Sequence, residues 1–387
     1  MSPVFRVLLA PDSFKGSLSA IQFCDIAKQV IQQSIPDSEV FSYPMSDGGE
    51  GFVDSFIYAG AAEQQSCWVA NALGRKTKAI FAWQPESNTA IIEMAQASGL
   101  PKIRPEERNP MQTHSYGTGQ LIQAALDLGA EKIVLGLGGS ATNDGGSGAL
   151  QALGIPLLDS NHNAIGLGGQ SLTKLASIGE IPPHLHNIEW QLACDVTNPL
   201  LGENGATAVF GRQKGVNEHN FDILESGLKN WANLIENKTG MAIENKEGSG
   251  AAGGMAGGFM GLLNASVTPG FEVLNQTLKL EKVLTENSID LIITGEGKMD
   301  SQTRFGKLPM RIAELGLSHQ TPSIGVCGSL QCAPHELPEF KALFSIMNTP
   351  MSEMEAFQNT PYLLATCLTS IIQLLNPNSR PQIVNLN

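Results

Sequence analysis

"FRVLLAPDSFKGSLSA", Phe5 to Ala20, decides how the rest of the chain is read. Its first half, "FRVLLAP", is an apolar run of strand length interrupted only by Arg6, which suits a buried strand. Its second half presents an acid, hydroxyls and a lysine, and then a helix signal. Ser17 or Ser19 can cap a helix whose apolar face is Phe23, Ile26, Ala27, Val30 and Ile31. Pro36 stops that helix, and "EVFSYP" (Glu39–Pro44) follows as a second strand. The acidic turn "SDGGEG" (Ser46–Gly51) then leads into an apolar helix over "FVDSFIYAG" (Phe52–Gly60). A βαβ unit results, with polar loops where its strands end.

The far end of the chain repeats this grammar. "IDLIIT" (Ile289–Thr294) runs into a loop, "GEGKMDSQTRFGK" (Gly295–Lys307), with a helix around "LPMRIAELG" and further strands in "PSIGVCGS" and "KALFSIM". The two ends therefore read as halves of one parallel sheet, residues 1–65 plus 278–387. This places "PDSFKGS", "SDGGEG" and "GEGKMD" at the carboxyl ends of strands, where open α/β sheets bind ligands. Between the halves, "WVANALGRKTKAIFAW" and "TAIIEMA" alternate like antiparallel strands, and a helix around "GTGQLIQAALDLGA" leads to the strand "KIVLGLGG". Residues 66–277 read as an inserted α/β domain.

Composition agrees with two α/β domains and narrows the partners. The chain has 387 residues, 42% hydrophobic and only 16% charged, with 41 Gly and 21 Pro, so it buries large cores and makes many tight turns. A net charge of −13 disfavours nucleic acid, and any anionic ligand must meet a locally basic pocket. Six cysteines without a C-x-x-C pair read as reduced thiols, and there is no H-E-x-x-H. The N-terminal apolar run is too short for a signal peptide, so a cytoplasmic address is expected. Gly248–Phe271 is uncharged and long, but it is dominated by Gly, Ala and Ser and broken by Pro269, so no membrane span is expected.

Several loops carry chemistry-bearing residues. In "PDSFKGS" a helix start and Lys15 together suit a carboxylate or phosphate, against the plainer reading of a capped turn with a solvated lysine. Asp47 and Glu50, with glycines between, let carboxylates and backbone approach a ligand or a hydrated Mg²⁺. "LGLGGSATNDGGSG" (Leu135–Gly148) delivers six glycines, three hydroxyls, Asn143 and Asp144 from a buried strand. Gly136, Gly138 and Ala141 also fit a loose dinucleotide fingerprint with Asp159 at ribose distance, but a Rossmann turn enters its helix at once. Asp195 follows a short strand, and Arg212, Gln213 and Lys214 lie between glycines further on. "GSGAAGGMAGG" (Gly248–Gly258) reads either as a phosphate nest or as close helix packing through small residues. Walker A, protein-kinase and G-x-S-x-G strings are absent from the sequence.

Taken in order, "APDSFKGSLSA", "DGGEG", "IIEMAQASGL", "GTGQLI", "GLGGSATNDGGSGALQALG", "ACDVTNPLLGENGA", "QKG", "GAAGGM" and "TGEGKMDSQTRFGK" resemble the bacterial type I glycerate kinases. The match runs to about Ser329, with departures at Phe52 and Arg212. The resemblance implies a flavodoxin-like parallel-sheet α/β/α domain made from both chain ends and an inserted restriction-endonuclease-like mixed α/β domain, with the active site in the cleft between them. It also implies phosphorylation of D-glycerate by ATP with Mg²⁺, most often giving 2-phosphoglycerate; the sequence leaves both a monomer and a homodimer open.

Within that reading, Asp195 and Lys15 are the catalytic candidates. Asp12, Ser13, Asp47, Gly48, Gly49, Asn198 and Lys214 are candidates for substrate. Gly138, Gly139, Ser140, Thr142, Asn143, Asp144, Gly253, Gly254, Glu296 and Lys298 are candidates for the nucleotide, and Asp47 and Asp300 for the metal. Two readings from other classes are a nicotinamide-dependent hydroxy-acid oxidoreductase using "GLGGSA" and Asp159, and a non-catalytic metabolite sensor.

Overall fold

In the computed structural model, which describes residues 4–375, the run after Phe5 forms β1 (Arg6–Leu9), with Val7, Leu8 and Leu9 wholly buried. β2 (Glu39–Ser42), β3 (Glu63–Ala70), β4 (Lys76–Gln84), β5 (Thr89–Glu93) and β6 (Lys132–Gly136) follow in the chain. Next come the short pair β7 (Leu157–Leu158) and β8 (Ser177–Ile178), then β9 (Glu189–Ala193) and β10 (Ser266–Thr268). β11 (Leu291–Met299), β12 (Ser323–Leu330) and β13 (Ala342–Ser345) complete the set. The chain divides into two compact units: one holds the described residues up to Ser46, Asp54–Ala61 and those from Leu274 onward, the other Asp47–Val53 and Ala62–Val273.

The first unit is built on a parallel sheet in the order β13-β12-β11-β1-β2, with Val7 opposite both Leu291 and Val40. Ser19, rather than Ser17, caps the helix Ala20–Ser34: its hydroxyl accepts from the Gln22 amide at 3.1 Å while the Gln22 side chain accepts from the Ser19 amide at 2.9 Å. Phe23 and Ile31 of that helix pack with Leu364 and Leu368 of the helix Glu353–Leu375, over Val7, Ile293 and Val326. Met310 and Ala313 of the helix Leu308–Ser318 join Cys327 in a separate cluster. Val326 and Cys327 are successive residues of one strand, so the two clusters cover opposite faces, as a parallel sheet requires. Numbered within the unit, the order is 2-1-3-4-5, which makes the carboxyl ends of β1 and β11 the switch point.

One expectation is corrected here. The strand does not end at Thr294; β11 continues through Met299, with Glu296 opposite Cys327 and Lys298 opposite Ser329. Pairing along β12 overrides the poor strand propensity of Gly-Glu-Gly.

The second unit carries a mixed sheet in the order β10-β9-β6-β5-β4-β3. β5, β6, β9 and β10 are parallel, and β4 and β3 are added antiparallel. Trp190 and Leu192 of β9 meet Trp231 and Phe259 in the core. Phe259 lies on the helix Ala251–Leu263, every residue of which is buried. That helix opens unusually: Ala252, Gly253 and Gly254 are left-handed, at φ of 54°, 66° and 87°. The glycine-rich stretch thus serves close packing here, since a Cβ on Gly253 would stand 2.1 Å from the Thr142 carbonyl oxygen. Among the described residues no helix is long and apolar enough to cross a membrane.

Candidate active site

In the first unit the loop after β1 is stitched to β11. The Ala10 amide donates to the Ile293 carbonyl at 2.9 Å and the Asp12 amide to that of Gly295 at 2.8 Å, while the Thr294 hydroxyl donates to the Ala10 carbonyl. Gly297 runs beside Phe14, close enough that a Cβ there would lie 3.4 Å from the Phe14 Cα. "PDSFK" and "GEGK", nearly three hundred residues apart, therefore meet at the switch point. Asp12 accepts the Ser13 amide at 2.6 Å, which shapes the turn. Lys15 is exposed and forms no ion pair among the described residues.

Beside this turn lies a closed network of acids and lysines. Glu296, buried, accepts from the Thr303 hydroxyl at 2.8 Å and from Lys307 at 3.3 Å. Lys307 also reaches Asp300 at 3.7 Å, and Lys298 pairs with Asp300 at 3.0 Å. Burial raises the Glu296 pKa against the pull of Thr303 and Lys307, whereas the hydrogen bond from Lys298 lowers that of Asp300. The carboxylates hold the lysines in place, and Lys298 stays exposed.

In the second unit the "DGG" turn docks on the sheet's carboxyl end. Gly48 adopts φ of 91°, and a Cβ on it would stand 2.8 Å from the Ala193 carbonyl oxygen, so only glycine suits the position. Its own carbonyl accepts the Gly138 amide at 3.0 Å. Gly138 and Gly49 touch backbone to backbone, and Gly270, against the Asp47 backbone, donates its amide to Asp195 at 3.2 Å. Asp47 and Asp195, both exposed, are thereby gathered where β6, β9 and β10 end. Burial pushes the Cys194 thiol up to about 11, against the hydrogen bond to the Val196 carbonyl and with Asp195 and Asp47 adding to the rise. Among the described residues no group of three His, Cys, Asp or Glu side chains could hold a metal.

The glycine loop after β6 is accessible only at its turn, where Gly139 is exposed at φ of 70° and Gly138 half-buried. From Ser140 on it dives inside. Asp144 accepts from the Ser115 amide and hydroxyl, both at 2.8 Å, and from the Gly146 amide at 3.2 Å. Asn143 donates to the Thr207 hydroxyl at 3.1 Å. Lys214, only 2% exposed, donates to the Ser140 hydroxyl and the Thr142 carbonyl, both at 2.8 Å. Thr142, Asn143, Asp144 and Lys214 thus shape the loop from beneath. Gly253 and Gly254 do likewise, the first accepting the Gly145 amide at 3.0 Å. Asn198 is half-buried and donates to the Asn204 carbonyl at 2.8 Å, closing the loop after Asp195.

Burial drives the Lys214 pKa down to about 7, opposed by Asp144, and burial also lowers that of His114. For Lys214 the unfolded chain, near 10.5, holds a proton that the folded chain has lost above about pH 7. Stability therefore rises with pH across that window, by at most about 1.4 kcal/mol per pH unit. Urea unfolding at about pH 7 and about pH 10 is expected to show the wild type gaining on Lys214→Met as pH rises. A constant difference would place Lys214 outside the low-dielectric interior.

Comparison with known proteins supplies the family. The sequence profile of the glycerate kinase family matches residues 7–376. The chain belongs to the glycerate kinase family. It is 40% identical to a glycerate kinase of Bacillus subtilis strain 168, over 92% of this chain and 93% of that one. It is also 40% identical to a glycerate 2-kinase of Escherichia coli K12, over 91% and 93%. A crystal structure assigned as glycerate kinase 2 of Salmonella typhimurium LT2 superposes with a TM-score of 0.85 at 38% identity, covering 97% of this chain and 99% of that one. As a member of this family the protein is a kinase that uses ATP, and the dehydrogenase and sensor readings are not favoured.

Some residues of the site in this glycerate kinase family member escape the sequence reading. Ser115 cradles Asp144 from the segment before the helix Tyr116–Asp127, and its signal was the hydroxyl placed just ahead of that helix. Gly270, which sets Asp195, carried none beyond following a proline. Phe52 fills the space beneath β6, its ring 3.0 Å from a Cβ built on Gly136, which accounts for an apolar residue after "DGGEG".

Proposed function

We propose that the chain transfers the γ-phosphoryl group of ATP to D-glycerate, giving 2-phospho-D-glycerate. The observation that carries this reading is the gathering of two exposed carboxylates, Asp47 and Asp195, beside an accessible glycine turn in a chain so similar to a glycerate 2-kinase. Phosphoryl transfer needs an acceptor hydroxyl held in line and positive charge on the phosphates. Asp195 orients the glycerate hydroxyl and takes its proton. Lys15, with Ser13 and the turn they share, is the first unit's candidate for an anionic group, the substrate carboxylate or the transferring phosphoryl group, and in the second unit the Gly138–Ser140 turn receives the nucleotide phosphates.

A hydrated Mg²⁺ asks for one or two carboxylates and otherwise water and phosphate oxygens, and the exposed Asp47 fits as such a carboxylate. When bound, the ion would neutralise charge on the phosphates. Asp300, with its oxygens taken by Lys298 and Lys307, is better read as their charge partner. The sheet order 2-1-3-4-5 supports a flavodoxin-like reading of the first unit, and the mixed sheet suits a restriction-endonuclease-like reading of the second.

The test is ADP release from ATP and Mg²⁺ with D-glycerate, with L-glycerate as control, the product being coupled to enolase directly or through phosphoglycerate mutase. Dependence on D-glycerate with direct coupling is expected; turnover only through the mutase would assign the 3-phosphate instead. In the same assay Lys15→Ala is expected to raise the KM for glycerate by about tenfold or more, the loss of one charge-assisted contact. Unchanged kinetics would return Lys15 to a solvated role.

A further inference from the structure

Lys214 is placed with unusual care for a side chain that a ligand cannot reach. It ends the short turn Arg212–Lys214, which two glycines let into the interior: Cβ atoms on Gly211 and Gly215 would stand 2.2 Å from the Thr207 carbonyl oxygen and 2.3 Å from that of Arg108. Arg108 holds the turn from outside by donating to the Gln213 carbonyl at 3.2 Å. From there the side-chain nitrogen reaches Ser140 and Thr142, more than seventy residues away in sequence. The Thr142 carbonyl it grips is the one against which Gly253 is packed, so this part of the loop is clamped from two sides.

The loop's remaining bonds lie elsewhere. Gly139 accepts the Leu100 amide and Ala141 donates to the Ser98 carbonyl, at 2.8 and 2.9 Å. A buried lysine is costly unless its hydrogen bonds and charge are met, and an apolar residue would fill the same space more cheaply. Its retention under an exposed glycine turn calls for a use of its hydrogen-bond donors.

We propose that Lys214 is a positioning residue, whose side-chain nitrogen ties Ser140 to Thr142 and thereby sets the Gly138–Ser140 turn to receive the phosphates of the nucleotide. This rests on the reading of that turn as the nucleotide site. Lys214 touches no substrate; it fixes where the turn's backbone lies.

Steady-state kinetics of Lys214→Met, with circular dichroism as the check on folding, test this. The expected result is a KM for ATP raised about tenfold or more, with the KM for glycerate within about twofold of wild type. A KM for glycerate that rises while that for ATP stays would keep the positioning role and overturn the assignment of the turn to the nucleotide. A folded variant with both values unchanged would overturn the proposal. Should Lys214→Met fail to fold, Ser140→Ala decides, since it removes one acceptor and no charge. A smaller rise in the KM for ATP supports the tie, and wild-type constants there refute it.

Discussion

Replacing Asp195 with asparagine is expected to lower kcat by roughly two to four orders of magnitude, the usual size of a general-base contribution, with the fold intact. Asparagine keeps the side-chain oxygen that accepts the Gly270 amide at 3.2 Å, so the geometry around β10 survives and only the basicity is removed. The same site supplies a comparison. Asp47→Asn alters a carboxylate argued to face the metal, so its effect is expected to shrink as Mg²⁺ is raised, whereas the deficit of Asp195→Asn persists at saturating Mg²⁺. Initial rates of ADP release across a Mg²⁺ series separate the two. Near-wild-type turnover of Asp195→Asn would remove it from the proton-transferring role, and a deficit fully repaired by Mg²⁺ would make it a ligand instead.

What could be read without coordinates was whatever local pattern decides. The apolar run of β1, the helix face from Phe23 to Ile31 and the capping Ser19 followed by Gln22 are all properties of neighbouring residues, and they appear where the pattern puts them. The acidic turn at Asp47 and the glycine loop after Leu135 stood out because their compositions cannot pack a core. Long-range pairing was not legible in the same way. Nothing near Gly295 says that the strand continues, because the reason is the register with β12. Nor does "RQKG" announce a buried lysine: the groups that compensate it, Ser140, Thr142 and Asp144, lie far away in sequence. The glycine loop was thus singled out and only partly understood. Its outer turn is available to a ligand, and its inner residues, which look equally polar in sequence, are support.

Gly253→Ala is expected to destabilise the protein by about 3 kcal/mol or more, a cost reserved for backbone strain combined with overpacking. Two effects act together. A φ of 66° puts an alanine in the left-handed region, and its Cβ would be pressed to 2.1 Å from the Thr142 carbonyl oxygen, a backbone atom that cannot swing aside. That carbonyl also accepts from the Lys214 side-chain nitrogen, so the clash is passed to the glycine turn and turnover should fall with stability. The adjacent residue provides the control. Ala252 is already left-handed, at φ of 54°, so Ala252→Gly relieves strain while giving up backbone entropy, and a change within about 1 kcal/mol is expected. Thermal unfolding of both variants reads the contrast, with a fall in midpoint of several degrees for Gly253→Ala and almost none for Ala252→Gly. Equal melting of Gly253→Ala and wild type would mean that the helix does not open through a left-handed turn, and the packing under the glycine loop would have to be redrawn.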